Sequence, residues 1–197
     1  MSMAYKKRIQ HQEAVNRCML LFWQQGYFKT SVDDLVKASG LNRTAIYNQY
    51  GSKDAFFKAV LERYEKEVTS QLIAPLQQKP NGIKAIHAFF EQFISLSEKG
   101  ALKNGCLYIN TATDAPLHSS DIVEKINAFI LILTDLFRKT LCNAQLNGEV
   151  SKSLDIEDSC QFLVANVFGL LTMARATNDS NKLKAQVRFI KQCLNKP

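Results

Sequence analysis

Arg43, Thr44, Ala45 and Asn48 stand within one eight-residue stretch, Arg43 to Tyr50, and together carry the groups that read base edges in a DNA major groove. A guanidinium fork matches the two acceptors of guanine, and a carboxamide matches adenine. The methyls of Thr44 and Ala45 suit the methyl of thymine. The bland alternative is an ordinary solvated helix, with Arg43 a surface charge and Tyr47 and Tyr50 half-buried packing residues. What surrounds the stretch decides between the two.

The preceding segment has Val32, Leu35 and Val36 at i, i+3 and i+4, one face of a helix. Ser31 followed three residues later by Asp34 is an acidic capping box, and Asp33 adds negative charge to the same first turn. Gly40 ends this helix, and Asn42 caps the next, whose apolar face is Ile46, Tyr47 and Tyr50. Two helices joined by a short Gly-containing turn are the outline of a helix-turn-helix, whose second helix enters the major groove. Ser52 caps a further helix that begins at Lys53 and runs through Val60, Leu61 and Tyr64 towards Ser70.

The charge is placed accordingly. Of a formal +7 over 197 residues, residues 1–66 hold 11 Lys/Arg against 6 Asp/Glu, so the basic excess sits with the helix-turn-helix, as a phosphate-binding surface requires. Apolar content of 46% excludes a disordered chain. Five scattered cysteines without a CxxC pair argue against a disulfide framework and a zinc site, and His11, His87 and His118 lack ligand spacing, so no metal and no cofactor is expected. The N-terminus has no apolar signal core, and the most apolar stretch, Phe162 to Ala174, reads as too short to span a membrane. The expectation is a cytoplasmic protein without membrane contact.

The rest of the chain also reads as helix, with no period-2 strand. Residues 1–10 form a basic arm, and His11 to Gln25 a helix with Val15, Cys18, Met19 and Phe22 inward, ended at Gly26. Pro75 and Pro80-Asn81-Gly82 mark the strongest interruption. Helices follow at Ile83–Leu96, Cys106–Thr113, Asp121–Gln145, Asp155–Ala176 and Asn181–Lys196. The fold class is therefore all-α with about nine helices: a DNA-binding head over residues 1–50, a connecting helix over about 52–70, and a larger body over 71–197.

The run Phe22…Gly26-Tyr27, Thr30-Ser31-Val32-Asp33-Asp34-Leu35-Val36, Ala38-Ser39-Gly40-Leu41, Ile46-Tyr47 and Tyr50-Gly51-Ser52-Lys53-Asp54-Ala55-Phe56 resembles the TetR family of bacterial transcriptional repressors. Many positions agree in type and spacing over about the first 60 residues. Asn104 to Ala112 also looks like a segment of some branches. The resemblance implies an all-helical homodimer on a (pseudo)palindromic duplex operator, whose body binds a small effector that respaces the heads and releases DNA. It also implies phosphate contacts for Thr30, Ser31, Tyr47 and Lys53, beside Asn42, Arg43, Thr44, Ala45 and Asn48 at the recognition helix. Thr44 stands where the family usually has Gly, and Asn48-Gln49 replace a commoner Arg-His pair. Base identity should differ accordingly.

For the effector, the aromatic residues of the body suggest a mostly apolar pocket from Phe90, Phe93, Tyr108, Asn110, Phe129, Phe162 and Asn166. The same stripe is equally what a plain core looks like. Cys106, after Lys103-Asn104-Gly105 at a helix start, has an expected lowered pKa and makes a thiol-based oxidant or electrophile sensor the alternative; the competing reading is a small buried hydrophobe. Ala165, Gly169, Thr172 and Ala176 form a small-residue stripe, and Leu183, Val187, Ile190 and Leu194 repeat the spacing on the last helix. Both are expected at a two-fold dimer interface, which sets two recognition helices about 34–36 Å apart. Intramolecular packing is the competing reading. An enzyme lacks support, since no nucleophile–base set or phosphate-binding Gly loop is present. An interaction module would lack salt-dependent binding to duplex DNA.

Overall fold

Helix α1 runs Met3–Gln25, α2 Val32–Ser39 and α3 Arg43–Tyr50 in the computed structural model, which describes residues 3–79, 81–177 and 179–194. Local chemistry sets their ends. Ser31 Oγ accepts from the Asp34 amide at 3.1 Å while the Asp34 carboxylate accepts from the Ser31 amide at 2.9 Å. This reciprocal cap satisfies two amides that the first turn leaves unpaired. Gly40 turns the chain at φ 72°, and its amide donates to Val36 O at 3.1 Å. Asn42 Oδ1 accepts from the Ala45 amide at 2.7 Å and opens α3. The basic stretch expected as a separate arm is continuous with α1, which begins at Met3 instead of His11; Met1 and Ser2 lie outside the described residues.

Ser52 Oγ caps α4 (Lys53–Tyr64), which passes through a π-helical turn (Glu65–Thr69) into α5 (Ser70–Gln77). The rod therefore continues past Ser70 and over Pro75, where the sequence pattern suggested a break. Pro75 lacks the N–H that would bond Gln71 O, and Gln92 Nε2 donates to that carbonyl instead. A second helix thus satisfies what the proline removes.

The body comprises α6 (Ile83–Glu98), α7 (Leu107–Ala112), a 3₁₀ turn (Ala115–Leu117), α8 (Ser120–Leu146), α9 (Ile156–Thr177) and α10 (Ser180–Leu194). With α4–α5 as one rod, nine α-helices are present among the described residues, and no strand. Asn178, expected in the link before α10, and the expected end of α10 at Lys196 lie outside the described residues. α6 packs on α5, α8 and α10, while α7 wedges among α1, α4, α8 and α9. Glu149 Oε2 accepts from the Ile83 amide at 2.7 Å and so caps α6 from 66 residues away. Arg138 grips Glu157 through Nε and Nη2 at 2.9–3.0 Å, tying α8 to α9.

One apolar core runs from head to body. Phe22, Leu35, Ile46, Phe56 and Phe57 fill the head, with Phe22 and Phe57 rings 4.7 Å apart, and the core continues through Tyr64 to Phe89, Phe137 and Leu170. Cys18 is buried within it, its Sγ donating to Leu35 O, and burial pushes the thiol up to about 12.

Two expectations about the last helices are corrected. Leu183, Val187, Ile190 and Leu194 are 0–4% exposed, packed within the protein's own core where α10 meets α6 and α9, so they cannot line a subunit interface. Their spacing marked a buried face correctly, but the cover is intramolecular. The apolar segment around Phe162–Ala174 belongs to a 22-residue helix, α9, which by length and composition is long enough to cross a membrane. Its Leu163, Val167, Leu170 and Leu171 are buried against neighbouring helices, the arrangement of a core helix. Ala165, Thr172 and Ala176 are exposed on α9 and Gly169 partly so, leaving that stripe uncovered.

Candidate nucleic-acid interface and internal cavity

α3 buries Ile46 and turns Arg43, Thr44, Tyr47, Asn48 and Gln49 to solvent, with Ala45 half-buried beside them. The side chains whose chemistry suits base edges therefore share one open face. Asn42 is exposed too, but its carboxamide oxygen is engaged as the cap. Arg43 Nη2 pairs with Asp33 Oδ1 at 2.6 Å. Both side chains are exposed, so solvent screens the pair. Gln49, which with Asn48 departs from the family pattern and is expected to bear on specificity, is also exposed.

Ser31 is exposed at the start of α2, where its hydroxyl also donates to the Asp34 carboxylate. That bonding lowers the Asp34 pKa, chiefly through the Ser31 hydroxyl and then the Ser31 amide. Two other expected phosphate contacts are placed differently. Thr30 is fully buried; its hydroxyl donates to Gly26 O at 2.8 Å and its amide to Tyr27 O, so neither of its donors is left for a phosphate. Lys53 is half-buried, with Nζ donating to Tyr27 O at 2.8 Å and lying 4.0 Å above the Tyr27 ring. It clamps the chain just beyond α1, and burial lowers its pKa. Tyr27 in turn donates its hydroxyl to Asp54, so the head is locked onto the start of α4.

The head is also tied to the body. Trp23 Nε1 donates to Gly105 O at 3.2 Å, and its ring stands edge-on to Tyr64 at 5.0 Å. Gly105 has φ 69°, and a Cβ there would press on Asn110 and on the Leu171 backbone. Lys58–Asp121 at 3.0 Å and Lys125–Glu62 at 2.9 Å bridge α4 to α8. His118, just before α8, packs against Tyr27, Phe28 and Phe57 with ring separations of 4.8–6.1 Å, and burial lowers its pKa.

An enclosed apolar cavity lies between the α4–α5 rod and α6, α8 and α9. The rod supplies Tyr64, Val68, Thr69, Leu72 and Ile73; Phe89, Phe129 and Cys106 face them. The cavity is narrow, with a volume of only about 30 Å³. Any ligand larger than a few atoms must therefore spread the walls.

Of the residues expected in a pocket, Phe129 alone lines this cavity. Phe90 and Phe93 are closed in the core, Phe90 stacking on Phe137. Tyr108 lies behind the wall, stacked 4.5 Å from Phe129 with its hydroxyl donating to Glu65 at 3.2 Å. Asn110 donates to Asn104 O in a separate cleft near the end of α1. Phe162 and Asn166 belong to the outward part of α9: Phe162 lines a groove with Cys193, and Asn166 accepts from Gln186 at 3.3 Å. Spacing alone does not resolve which buried apolar residues face a cavity and which fill the core. Thr69 and Tyr64 are the polar residues missed: Thr69 ends the π turn, which shifts it off a regular 3.6-residue face, and Tyr64 reads in sequence as one more residue of the apolar face of α4.

Cys106 differs from expectation as well. It is buried, and that burial pushes its thiol up; bonds from the Ile109 amide and Tyr64 pull the other way but less. The six-residue α7 and Lys103, which points to solvent, do not offset desolvation.

Comparison with known proteins matches both halves. Residues 82–190 match the model of the tetracyclin repressor-like C-terminal domain, and residues 19–60 that of the bacterial regulatory proteins of the tetR family. The HTH-type transcriptional repressor ComR of Escherichia coli (strain K12) is 28% identical over 171 residues, covering 86% of this chain and 81% of ComR. Among solved structures, a TetR transcriptional regulator from Chloroflexus aurantiacus superposes with a TM-score of 0.85 at 22% identity, covering 95% of each chain. A cysteine mutant of the TetR family regulator CifR, complexed with 26-bp double-strand operator DNA, gives 0.81 at 20% identity, covering 93% of this chain and 95% of that one. At such identity these two likenesses speak for the fold.

Proposed function

The chain belongs to the TetR family of bacterial regulatory proteins, and from that premise we propose that it is a homodimeric repressor released from its operator by a small, mostly apolar ligand. As a member it is a DNA-binding transcriptional regulator. The observation that carries the finer reading is the open face of α3: Arg43, Thr44, Tyr47, Asn48 and Gln49 exposed together on a helix fixed at both ends. In the proposed complex Arg43 reads guanine, Asn48 adenine, and Thr44 with Ala45 a thymine methyl. Ser31 and Tyr47 take phosphates, while Thr30 and Lys53 hold the head in shape. ComR is named a repressor, which supports that direction of control.

The head, residues 1–50, is carried by the rod and serves the body, residues 71–197. Dimerisation uses the α9 stripe of Ala165, Gly169, Thr172 and Ala176 together with the outward face of α10, where Phe189 is 62% exposed. Small residues let the two copies of α9 approach closely, and Phe189 supplies apolar area that water otherwise covers. Ligand entering the narrow cavity must push on the α4–α5 rod, which carries the head core at its other end. The pressure therefore re-aims both heads and changes their spacing. Such a regulator works where the chromosome is, in the cytoplasm.

The test is selection of bound fragments from genomic DNA, with the salt dependence of binding measured on the fragment recovered. A steep fall of affinity with salt and a palindromic consensus are expected. Recovery of no enriched sequence would refute the reading. A second reading is thiol sensing, favoured by the place of Cys106 in the cavity wall. Burial keeps that thiol protonated, so it ranks second. Intact-mass measurement after mild quinone treatment decides: modification of the exposed Cys142 and Cys193 with Cys106 spared ends the thiol reading.

A further inference from the structure

Five threonines are buried among the described residues, and four of them spend their hydroxyls the same way. Thr30 donates to Gly26 O, Thr111 to Leu107 O, Thr134 to Ile130 O and Thr140 to Leu136 O, each four residues back at 2.7–2.9 Å. Thr69 is the exception. It is 5% exposed, its Oγ1 has no hydrogen-bond partner, and it lines the apolar cavity. The cause lies in the backbone. Thr69 ends the π turn, in which Glu65 O accepts from the Ser70 amide five residues on. The carbonyl that would take the Thr69 hydroxyl is thereby drawn into a register wider by one residue.

A buried hydroxyl left unpaired carries a desolvation cost, and such groups in native proteins call for an explanation. π turns within α-helices are found frequently at functional sites. The rest of the cavity wall is apolar or aromatic and contains no charged side chain, so an ionised ligand would lose its hydration without compensation. Tyr64, engaged with Cys106, adds a second polar edge.

Resting on the reading of the body as an effector-binding domain, we propose that this cavity takes a neutral, mostly apolar molecule bearing one hydrogen-bonding oxygen, an alcohol, phenol or carbonyl, and that this oxygen pairs with Thr69 Oγ1. The hydroxyl serves either donor or acceptor. The apolar part lies between Phe89, Phe129 and Leu72. Because Thr69 sits in the rod that supports the head, the ligand's polar atom engages the one turn of that rod whose backbone register is already irregular.

The test uses the full chain without DNA. Binding of 4-propylphenol and hexan-1-ol is compared by calorimetry with that of propylbenzene, hexane and 4-propylbenzoate. The oxygen-bearing neutral members should bind about tenfold tighter than their hydrocarbons, the size of one net hydrogen bond. The carboxylate should bind weakest. Thr69→Val should abolish the difference, Thr69→Ser should keep it, and unliganded T69V should melt no lower than the parent. Discrimination that survives in T69V, preference for the carboxylate, no binding by any probe, or a T69V protein that melts several degrees lower would each overturn the assignment. Operator binding is measured separately. Its absence, with the Thr69-dependent discrimination intact, would sink the regulator reading and leave this one standing.

Discussion

Replacing Asn42 by Ala removes the cap of the recognition helix and nothing else that the head depends on. The Asn42 carboxamide oxygen accepts from the Ala45 amide at 2.7 Å, and α3 has only eight residues. A helix that short does not hold together alone in water, so its first turn depends on the cap and on Ile46 in the core. Loss of such a cap costs about 1 kcal/mol, which for a chain of this size lowers the melting temperature by about 2–4 °C. The effect on DNA should be larger. An operator-bound dimer orders two copies of α3, so about 2 kcal/mol of ordering is added to binding, or about a 30-fold weaker Kd. Asn42→Ser supplies the same acceptor on a shorter arm and separates capping from direct contact. Thermal unfolding and fluorescence anisotropy on one operator duplex measure both quantities. Recovery of both by Ser is expected. Full melting temperature in N42A would refute the capping argument, and weak DNA binding that Ser fails to rescue would make Asn42 a DNA contact instead.

Arg43→Ala should weaken binding to cognate DNA by about 5- to 150-fold with far less effect on scrambled duplex, and equal losses in competition titrations would reduce Arg43 to a phosphate contact. Phe189→Glu places a charge on the exposed face of α10 and should shift the protein from dimer to monomer in sedimentation velocity at micromolar concentration; an unchanged dimer would move the interface elsewhere. His118 has its pKa lowered by burial among Tyr27, Phe28 and Phe57, so the unfolded chain binds its proton first as pH falls. Stability from this group is complete above the unfolded value of about 6.5 and declines as pH falls through the lowered native value. His118→Phe should flatten that part of a denaturation series between pH 7 and 5, and an unaltered slope would contradict the assignment.

Much of the head was readable from local chemistry. Caps at Ser31, Asn42 and Ser52 and the turn at Gly40 are short-range devices, complete within three or four residues, and each occurs where its residue types stand. Thr30 and Lys53 escaped the same reading because their partners, Gly26 O and Tyr27 O, belong to a turn whose path depends on how α1 meets α4. The start of α1 and the passage over Pro75 were likewise outside local signals, the second because Gln92 rescues a carbonyl on another helix.

Periodicity in the body identified apolar faces without saying what covers them. The four residues Leu183, Val187, Ile190 and Leu194 have the spacing of an interface and the burial of a core, because the same 3.6-residue pattern serves either partner. Phe89 lines the cavity while Phe90 and Phe93 do not: Phe90 is turned away by about 100° of helical phase, and Phe93 shares the face but sits one turn further along α6, so only packing decides. The sequence by itself determined an all-helical chain, the three head helices and the caps that bound the helix carrying Arg43, since those rest on contacts near in the chain. The tertiary structure alone decided that Arg43 faces solvent beside Asp33, that Cys106 is shut inside, and that a π turn leaves Thr69 without a partner, since each depends on groups brought together from distant segments or on a change of backbone register that composition does not encode.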